Sequence, residues 1–531
     1  MRTYGNFNDF VTFTRSSGGT ALRPISYGPE LASNDVSDWD SFAGGSAVQD
    51  GEWIVITGAA ANTSGINLNL STETGKEYIW TMEIDLLTAT VFDTELKKIN
   101  TGAAAFSPSS YTYVTTDRTI VYQGVQTSDE VGARLTAWPR GVGLTARIRN
   151  ISVREVFYDQ AGAPLTLFNH PANTPRIEYN AAGERLGLLV EEARTNLVAS
   201  SENIGGTGWA TLTTNVTKTD GIAWSGITPS LLTNNAGAGV VGAIIFNFTA
   251  NAAPYTQTLI LERGTSLART NFGIYQGGWV GLVAYNWDTK LIENGAGTID
   301  SSSVEQLGIG PNGGDLVRLS MTSTPAAGTA GFYFYFYGSG GGSVQADSSL
   351  YFYTAQLEAG AFPASYIPTS GATATRAADV ASTSLAGIWE DTAGTVVMEV
   401  SLLSNVRSCD LPRFWDGSLN NVIGYYTNGT PTVSNAVLFI KSGNVLQPVT
   451  TSGQVDLEQT TKFAFAYGRG VFSHCRGGGA ASNDAFTEPT GINSAYFGAQ
   501  GAIANTFCGH IKSLQYIPRR LTNAQLQELT Q

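Results

Sequence analysis

Along most of this chain, apolar and polar residues change places every one or two positions, in runs of five to ten that end at Gly, Asn, Ser or Thr. A period of two places alternate side chains on opposite faces of an extended strand, so these runs predict strands with one covered face. They include Glu52–Thr57, Glu77–Ile84, Ala146–Glu155, Thr256–Glu262, Leu316–Thr322, Val396–Leu402, Asn435–Ile440, Lys462–Tyr467 and Gly509–Tyr516. In Ala146–Glu155, Ile148, Ile151 and Val153 point inward and Arg147, Arg149 and Arg154 outward, provided a bulge near Asn150 shifts the phase. Phe332–Tyr337 alternates Phe on one face with Tyr on the other, and two aromatic faces predict that one is covered by another domain or subunit. A single helical signal stands at the C-terminus, where Thr522 and Gln525 have capping-box spacing and Leu521 and Leu526 hydrophobic-staple spacing. The expected fold is therefore all-β: three β-sandwich modules in series and one short C-terminal helix.

A chain of 531 residues exceeds one core, and about 150 residues per domain gives three or four units. Residues 1–30 read as an arm and first strand, which either attaches the protein to neighbours or forms an edge strand of the next domain. Residues 31–157 form a first jelly-roll module. Residues 158–196 are an ordered bridge: turn signals at Asp159–Gly162, His170-Pro171, Thr174-Pro175 and Asn180–Gly183 alternate with apolar Leu165, Leu167, Phe168 and Ile177. Residues 197–370 are a second, larger jelly roll, and residues 371–531 a third sandwich. The first two modules share a layout, a Leu followed by a Trp at the start (Leu31 to Trp39, Leu197 to Trp209) and a closing strand with Glu near its end (Glu155, Glu358).

Composition agrees with this architecture and narrows the partners. Charged residues are 14%, aromatic residues 11% and Gly numbers 61, which suits strands and tight turns. The formal net charge of −13 opposes binding to phosphate backbones and anionic membranes, so neither nucleic acid nor membrane insertion is expected. The N-terminal stretch Met1–Phe10 has no apolar segment of signal-peptide length, and no run approaches the roughly 20 apolar residues of a membrane helix. Synthesis as a soluble cytoplasmic product is the expectation.

The stretch Gly187–Asn196 (Gly-Leu-Leu-Val-Glu-Glu-Ala-Arg-Thr-Asn) reads as a short buried strand turning into a structured corner. Neighbouring side chains on a strand face opposite ways, so Glu191 and Glu192 do not share a cleft, and at least one is expected to pair with Arg194. That makes the three a structural corner rather than a catalytic carboxylate pair. The same stretch, with Ser201-Glu202-Asn203 and Trp209, resembles the connector that precedes a carbohydrate-binding-module-like jelly roll in tailed-bacteriophage virion proteins. Gln356–Thr369 and Ala374–Asp379 are similar to the segment that closes that jelly roll. The Ile517–Leu526 stretch after the last strand resembles the end of the concanavalin-A-like lectin and laminin-G group. The resemblance implies a virion protein, a tail-fibre or head-fibre appendage that binds host-surface polysaccharide and other virion proteins, with a homotrimer as the assembly by analogy. A non-glycan-binding capsid decoration or adaptor protein and a glycan-depolymerising tailspike stay open beside it.

Sugar recognition needs flat aromatic faces beside amides and carboxylates. Gly277–Asp288 offers this mixture, and Trp279, Tyr285, Asn286, Trp287 and Asp288 are the glycan-binding candidates; alternatively Trp279 and Trp287, eight apart, fill one core. The acidic cluster Asp35, Asp38 and Asp40 is a weak calcium candidate, against an exposed acidic loop, and no other cofactor is expected. Catalysis is not expected: His170, His474 and His510 lack any Gly-x-Ser-x-Gly or His-Glu-x-x-His context, and Ser473-His474-Cys475 are adjacent in sequence where a triad needs spatial convergence. Three cysteines, Cys409, Cys475 and Cys508, are too few for a disulfide framework. Cys475 and Cys508 either pair across a sheet or remain free buried thiols.

Overall fold

A computed structural model describes residues 12–60, 64–210, 216–234, 243–265, 267–338, 348–403, 410–418, 420–430, 433–447, 452–455, 460–498 and 507–531. Among the described residues the elements are antiparallel strands, one 3-10 turn and one seven-residue α-helix. No helix among the described residues is long and apolar enough to cross a membrane. The chain divides into two compact units, residues 24–164 and residues 1–23 with 165–531.

The unit of residues 24–164 is a sandwich of two sheets. One runs edge to edge as Asp40–Phe42, Gly65–Leu70, Ala133–Pro139, Phe92–Lys97 and Thr112–Val114. The other contains Ser46–Asp50, Trp53–Thr57, Thr145–Tyr158, Glu77–Asp85, Arg118–Gln126 and Phe106–Ser107. Glu77–Asp85 alternates half-buried and buried residues over its whole length, as a period-two sequence dictates when one face is covered. Its inward Tyr78, Trp80, Met82 and Ile84 meet Ile148, Ile151 and Val153 in the core. The register of Thr145–Tyr158 slips between Arg149 and Ser152, and Asn150 takes a positive φ of 50°, so the bulge lies where the inward phase changes. On the outward side, Arg147 and Arg149 pair with Asp85 and Glu83 and lie over the Trp53 ring.

The second unit holds two cores. Residues 197–370 build a sandwich whose first sheet runs Trp209–Ala210, Ala243–Ala250, Gly328–Gly338, Leu267–Tyr275, Trp279–Asn286, Leu291–Gly297. Its second sheet runs Val216–Asp220, Ser230–Asn234, Ser349–Ala359, Tyr255–Arg263, Asp315–Ser323, Ser301–Ile309. The other core belongs to the C-terminal sandwich, and here the chain departs from a simple series. Thr12–Thr14 pairs with Val380–Ser384 as an edge strand of the last sandwich, while Ile25–Tyr27, further along the same segment, pairs with Val156–Tyr158 of the next one. The bridge donates Arg176–Tyr179 and Arg185–Val190 to the facing sheet, beside Gly509–Ile517. Burial explains both: Phe13, Leu188 and Val190 fill that core together with Met398, Phe465 and Phe497.

The helix spans Asn523–Leu529 with Thr522 as N-cap, and the reciprocal capping box with Gln525 is formed. Leu526 is buried against Val397, Ala464, Ala466 and Cys475 on the outer side of the sheet, which fixes the helix there.

The first two sandwiches are one design used twice. Six strands of one layer and five of the other follow the same order in residues 24–164 and 197–370; the first module adds Ile25–Tyr27 beside Val156–Tyr158, and the second an edge strand at Leu291–Gly297. The opening Trp makes the same bond in each: Trp39 Nε1 donates to Ser33 O at 3.0 Å and Trp209 Nε1 to Ser200 O at 2.9 Å. Leu31 N donates to Val153 O and Leu197 N to Leu357 O, which equates Val153 with Leu357. By that register Glu358 corresponds to Arg154 and Glu155 to Ala359, so the two closing glutamates are not counterparts.

Candidate functional site

The two sheets of the second module differ in what lies outside them. The sheet containing Tyr255–Arg263 is covered: Ile260, Leu307, Leu316 and Tyr353 pack against Leu22, Leu167 and Tyr366, and Thr258, Ser320, Thr322, Gln356 and Glu358 are all buried. The sheet containing Leu267–Tyr275 instead displays aromatic rings on its outer face. Phe332 and Phe334 enter the core, while Tyr333 and Tyr335 point the other way, as strand alternation requires. Trp279 joins them, edge-on to Tyr333 at 5.6 Å and tilted against Tyr335 at 6.1 Å. Tyr275, 36% exposed, closes the group at 5.3 Å from Trp279 and 5.4 Å from Tyr333. Gly331 makes room for it: a Cβ there would stand 2.6 Å from the Tyr333 ring.

Polar groups share this face. Asn271 Nδ2 reaches Tyr335 Oη at 3.4 Å, and its Oδ1 is buried without a hydrogen-bond partner. Asn247 lies exposed on the neighbouring strand, opposite Gly331. Toward the other end, Glu293 accepts from Asn286 Nδ2 at 3.1 Å and pairs with Arg269 at 3.0 Å. From Arg269 to Tyr275 the strand spans about 20 Å at roughly 3.3 Å per residue. Flat apolar faces at one end and amide, carboxylate and guanidinium groups at the other can cover C–H faces and hydroxyls of the same molecule.

Of the five predicted glycan residues, the structure brings only Trp279 to this face's aromatic cluster, with Asn286 at its polar end. Trp287 is fully buried in the core and donates Nε1–H to Thr270 Oγ1 at 2.9 Å. Tyr285 is also fully buried, lies 4.9 Å from Trp287 and accepts from Gln306. Neither can offer a ring face to a ligand, so both are corrected to core residues. Asp288 sits in the following turn and pairs with Arg263. The Oδ1 of Asn286 caps that turn, accepting from Asp288 N and Thr289 N. The equal-parity argument for Trp279 and Trp287 fails because the register slips between Ile274 and Tyr275, pairing Tyr275 with Trp279, and the slip turns Trp279 outward. Tyr275, Asn271 and Asn247 were missed, while the Tyr face of Phe332–Tyr337 was the signal that could have found the site. That face needs no outside cover at Tyr335, which is already buried within this chain; the side chains of Phe336 and Tyr337 lie outside the described residues.

The structural corner is an ionic core. Glu191 accepts from Ser365 N and Oγ, both at 2.7 Å, and pairs with Arg176 at 2.7 Å and Arg376 at 3.5 Å. Asp379 pairs with Arg176 at 2.5 Å and Arg15 at 3.1 Å and accepts from Glu191 N at 2.9 Å. All five charged side chains are buried. Burial works to raise the Glu191 pKa, but Arg376, Arg176 and the Ser365 hydrogen bonds hold it well below the usual carboxylate range. Glu192, half-buried, pairs with Arg194, whose guanidinium lies over Phe362 and occupies the space where a Cβ on Gly360 would stand. Thus Glu191 and Glu192 do part company, and the corner ties together arm, bridge and closing segment.

The calcium candidates do not converge. Asp35 caps the 3-10 turn by accepting from Ser37, Asp38 accepts from Ser33 Oγ, and Asp40 is exposed on the adjoining strand. Among the described residues no group of three or more His, Cys, Asp or Glu is placed to hold a metal ion. Cys475 and Cys508 are buried and form no disulfide, and Cys409 lies outside the described residues. On the strand Val471–Arg476, alternation sends His474 to the face opposite Ser473 and Cys475. A different row, Ser401 Oγ to His510 Nδ1 at 3.2 Å and His510 Nε2 to Glu178 at 2.7 Å, is nine-tenths buried throughout. Glu178 pairs with Gly187 on the intervening strand, which has no side chain to block it.

No family model and no curated protein sequence matches the chain. Among solved structures, it is similar to the N-terminal CBM22-1-CBM22-2 tandem domain of Xyn10C from Paenibacillus barcinonensis, at 11% identity. That similarity covers 64% of this chain and 100% of the other, with a TM-score of 0.20. The fold class, an all-β chain of sandwich modules, stands on the strands described above.

Proposed function

We propose that this chain binds glycans on the outward face of its second module, and that it does so as a tail-fibre or head-fibre appendage of a bacteriophage virion, adsorbing to host-surface polysaccharide. The single observation that carries the binding role is the cluster of Trp279, Tyr275 and Tyr333 on the outer face of its sheet, backed by the buried Tyr335. The virion setting is supported by the resemblance of Gly187–Asn196 and Gln356–Asp379 to virion connectors, and the homotrimer by analogy alone. The test is a glycan array with purified protein. Trp279→Ala and Tyr333→Ala should lower affinity for the best ligand about 10- to 100-fold, the effect of losing roughly 1.5–3 kcal/mol of ring burial.

The half-buried rings also favour a second reading, in which this face docks another virion protein in a decoration or adaptor role. In that case the array is blank, and Trp279→Ala lowers incorporation into particles. A depolymerising tailspike would release new reducing ends from host polysaccharide, an activity measured on the same protein.

A further inference from the structure

The sheet of the first module that runs from Asp40–Phe42 to Thr112–Val114 corresponds strand for strand to the sheet bearing the aromatic cluster. Its outer face carries a different but equally fixed set of groups. Tyr113, on the edge strand, is 49% exposed, and Tyr111 beside it is 43% exposed. The guanidinium of Arg140 lies 5.0 Å from the Tyr113 ring centroid. Arg140 is held from beneath by Asp93, which is fully buried: Nε donates to Oδ2 at 2.5 Å and Nη2 to Oδ1 at 3.0 Å. Arg140 Nη2 also donates to Tyr111 Oη at 2.7 Å, and that hydroxyl donates to Asp93 Oδ1 at 2.5 Å.

A buried carboxylate thus fixes one guanidinium and one phenol at the surface, and the guanidinium backs a second exposed ring. Such an arrangement is pre-ordered, so a ligand loses little side-chain entropy on meeting it. The Tyr113 ring offers a flat face, while Arg140 Nη1 takes no part in the bonds above and has N–H groups to donate. Asp93 neutralises the Arg140 charge, and the chain's net charge of −13 repels acidic polymers. An edge-strand lock alone would account for the Asp93–Arg140 pair but not for two large aromatic side chains left in water beside it.

We infer that the first module carries a second sugar-binding site, in which a neutral pyranose stacks on Tyr113 and its hydroxyls are bonded by Arg140 and Tyr111. This rests on the reading that the chain binds glycans, but on residues separate from the Trp279 cluster. The test is isothermal titration of the full chain with the neutral oligosaccharide that scores highest on the array, for wild type, Trp279→Ala, Tyr113→Ala and the double variant. A Tyr113→Leu variant, which keeps an apolar side chain but loses the flat ring, serves as a check on folding, together with circular dichroism. Two ligands per chain, falling to one in either single variant and none in the double, is the expected result. One ligand per chain, lost in Trp279→Ala and unaffected at Tyr113, overturns this site and leaves the first reading standing. One ligand lost only in Tyr113→Ala and Tyr113→Leu supports this site and overturns the first. No binding by wild type to any neutral glycan overturns this site, and a glycan array blank for every ligand overturns the first reading as well.

Discussion

Replacing Asp379 by Asn is a direct test of how the second unit is held together. The ionic core contains three guanidinium groups, Arg15, Arg176 and Arg376, against two carboxylates, Glu191 and Asp379, a surplus of one positive charge. Backbone carbonyls absorb that surplus: Arg15 donates to Ser17 O and Pro171 O, Arg176 to Thr20 O, and Arg376 to Glu192 O. Asp379→Asn keeps the shape but raises the surplus to two in a site with no solvent access, and breaking a buried pair in this way costs about 3–5 kcal/mol. Arg15→Met changes the balance in the other direction. Burial and then Arg176 lower the Arg15 pKa more than Asp379 raises it, which marks Arg15 as the surplus cation. Removing it brings the charges to two against two and leaves Asp379 Oδ1 and the carbonyl groups short of a donor; Asp379 keeps Arg176 and Glu191 N on its other oxygen, so the cost is about 1–3 kcal/mol. Asp379→Asn is therefore expected to be the more destabilising change, although Arg15→Met removes far more atoms. Urea unfolding at constant low ionic strength, followed by tryptophan fluorescence, measures both from midpoint and slope. An Asp379→Asn cost below about 1 kcal/mol, or a larger cost for Arg15→Met, would refute the charge accounting.

Three further outcomes follow from single side chains. Burial pushes the Glu358 carboxyl from its ordinary 4.5 up to about 7, against Arg194, Ala364 N and Gln356, which favour the ionised form. A raised carboxyl pKa favours the protonated folded state, so stability should be full below pH 4.5 and fall by about 3 kcal/mol as pH rises through 7. Glu358→Gln should flatten that slope in urea midpoints taken from pH 5 to 8. Trp287→Ala should cost about 3–5 kcal/mol of stability as a core truncation, whereas Trp279→Ala should cost much less; equal losses in thermal unfolding would mean the two rings have been assigned to the wrong faces. Thr522→Ala removes the helix cap and should cost about 1 kcal/mol, seen as faster hydrogen exchange at Gln525 and its neighbours.

Much of the fold could be read from period-two patterning because burial on one face is a local property of a strand. The bulge at Asn150 and the helix cap at Thr522 were legible for the same reason: each is set by residues a few positions apart. What escaped was long-range pairing. Nothing in Phe10–Arg15 specifies that Phe13 meets Ala381, or that Arg15 meets Asp379, because a partner more than 360 residues away leaves no periodic trace. The candidate site failed at one residue of register. Parity counting from Trp279 to Trp287 presumes an unbroken strand, and a single extra residue between them exchanges core for surface.

The duplication adds a constraint on where function can reside. Both jelly rolls keep the Trp-to-Ser-carbonyl anchor and the same strand order, so these features serve the fold and cannot distinguish the modules' roles. In the second module, the sheet opposite the aromatic cluster is occupied on its outside by Leu22, Leu167 and Tyr366, and its buried Glu358 reports how dry that contact is. A ligand cannot compete for that surface without taking apart a packed core. The corresponding sheets that carry the two proposed sites differ between the copies, with Tyr113 and Arg140 in one and Trp279 and Tyr333 in the other. On the glycan-binding proposal, recognition follows from side chains that the shared fold does not need, and substitutions there should change binding while leaving unfolding nearly untouched. Substitutions at Trp39 or Trp209 should do the reverse. A panel in which the platform variants unfold at wild-type urea concentration yet lose ligand, and the Trp anchors lose stability first, is the pattern this division of labour requires.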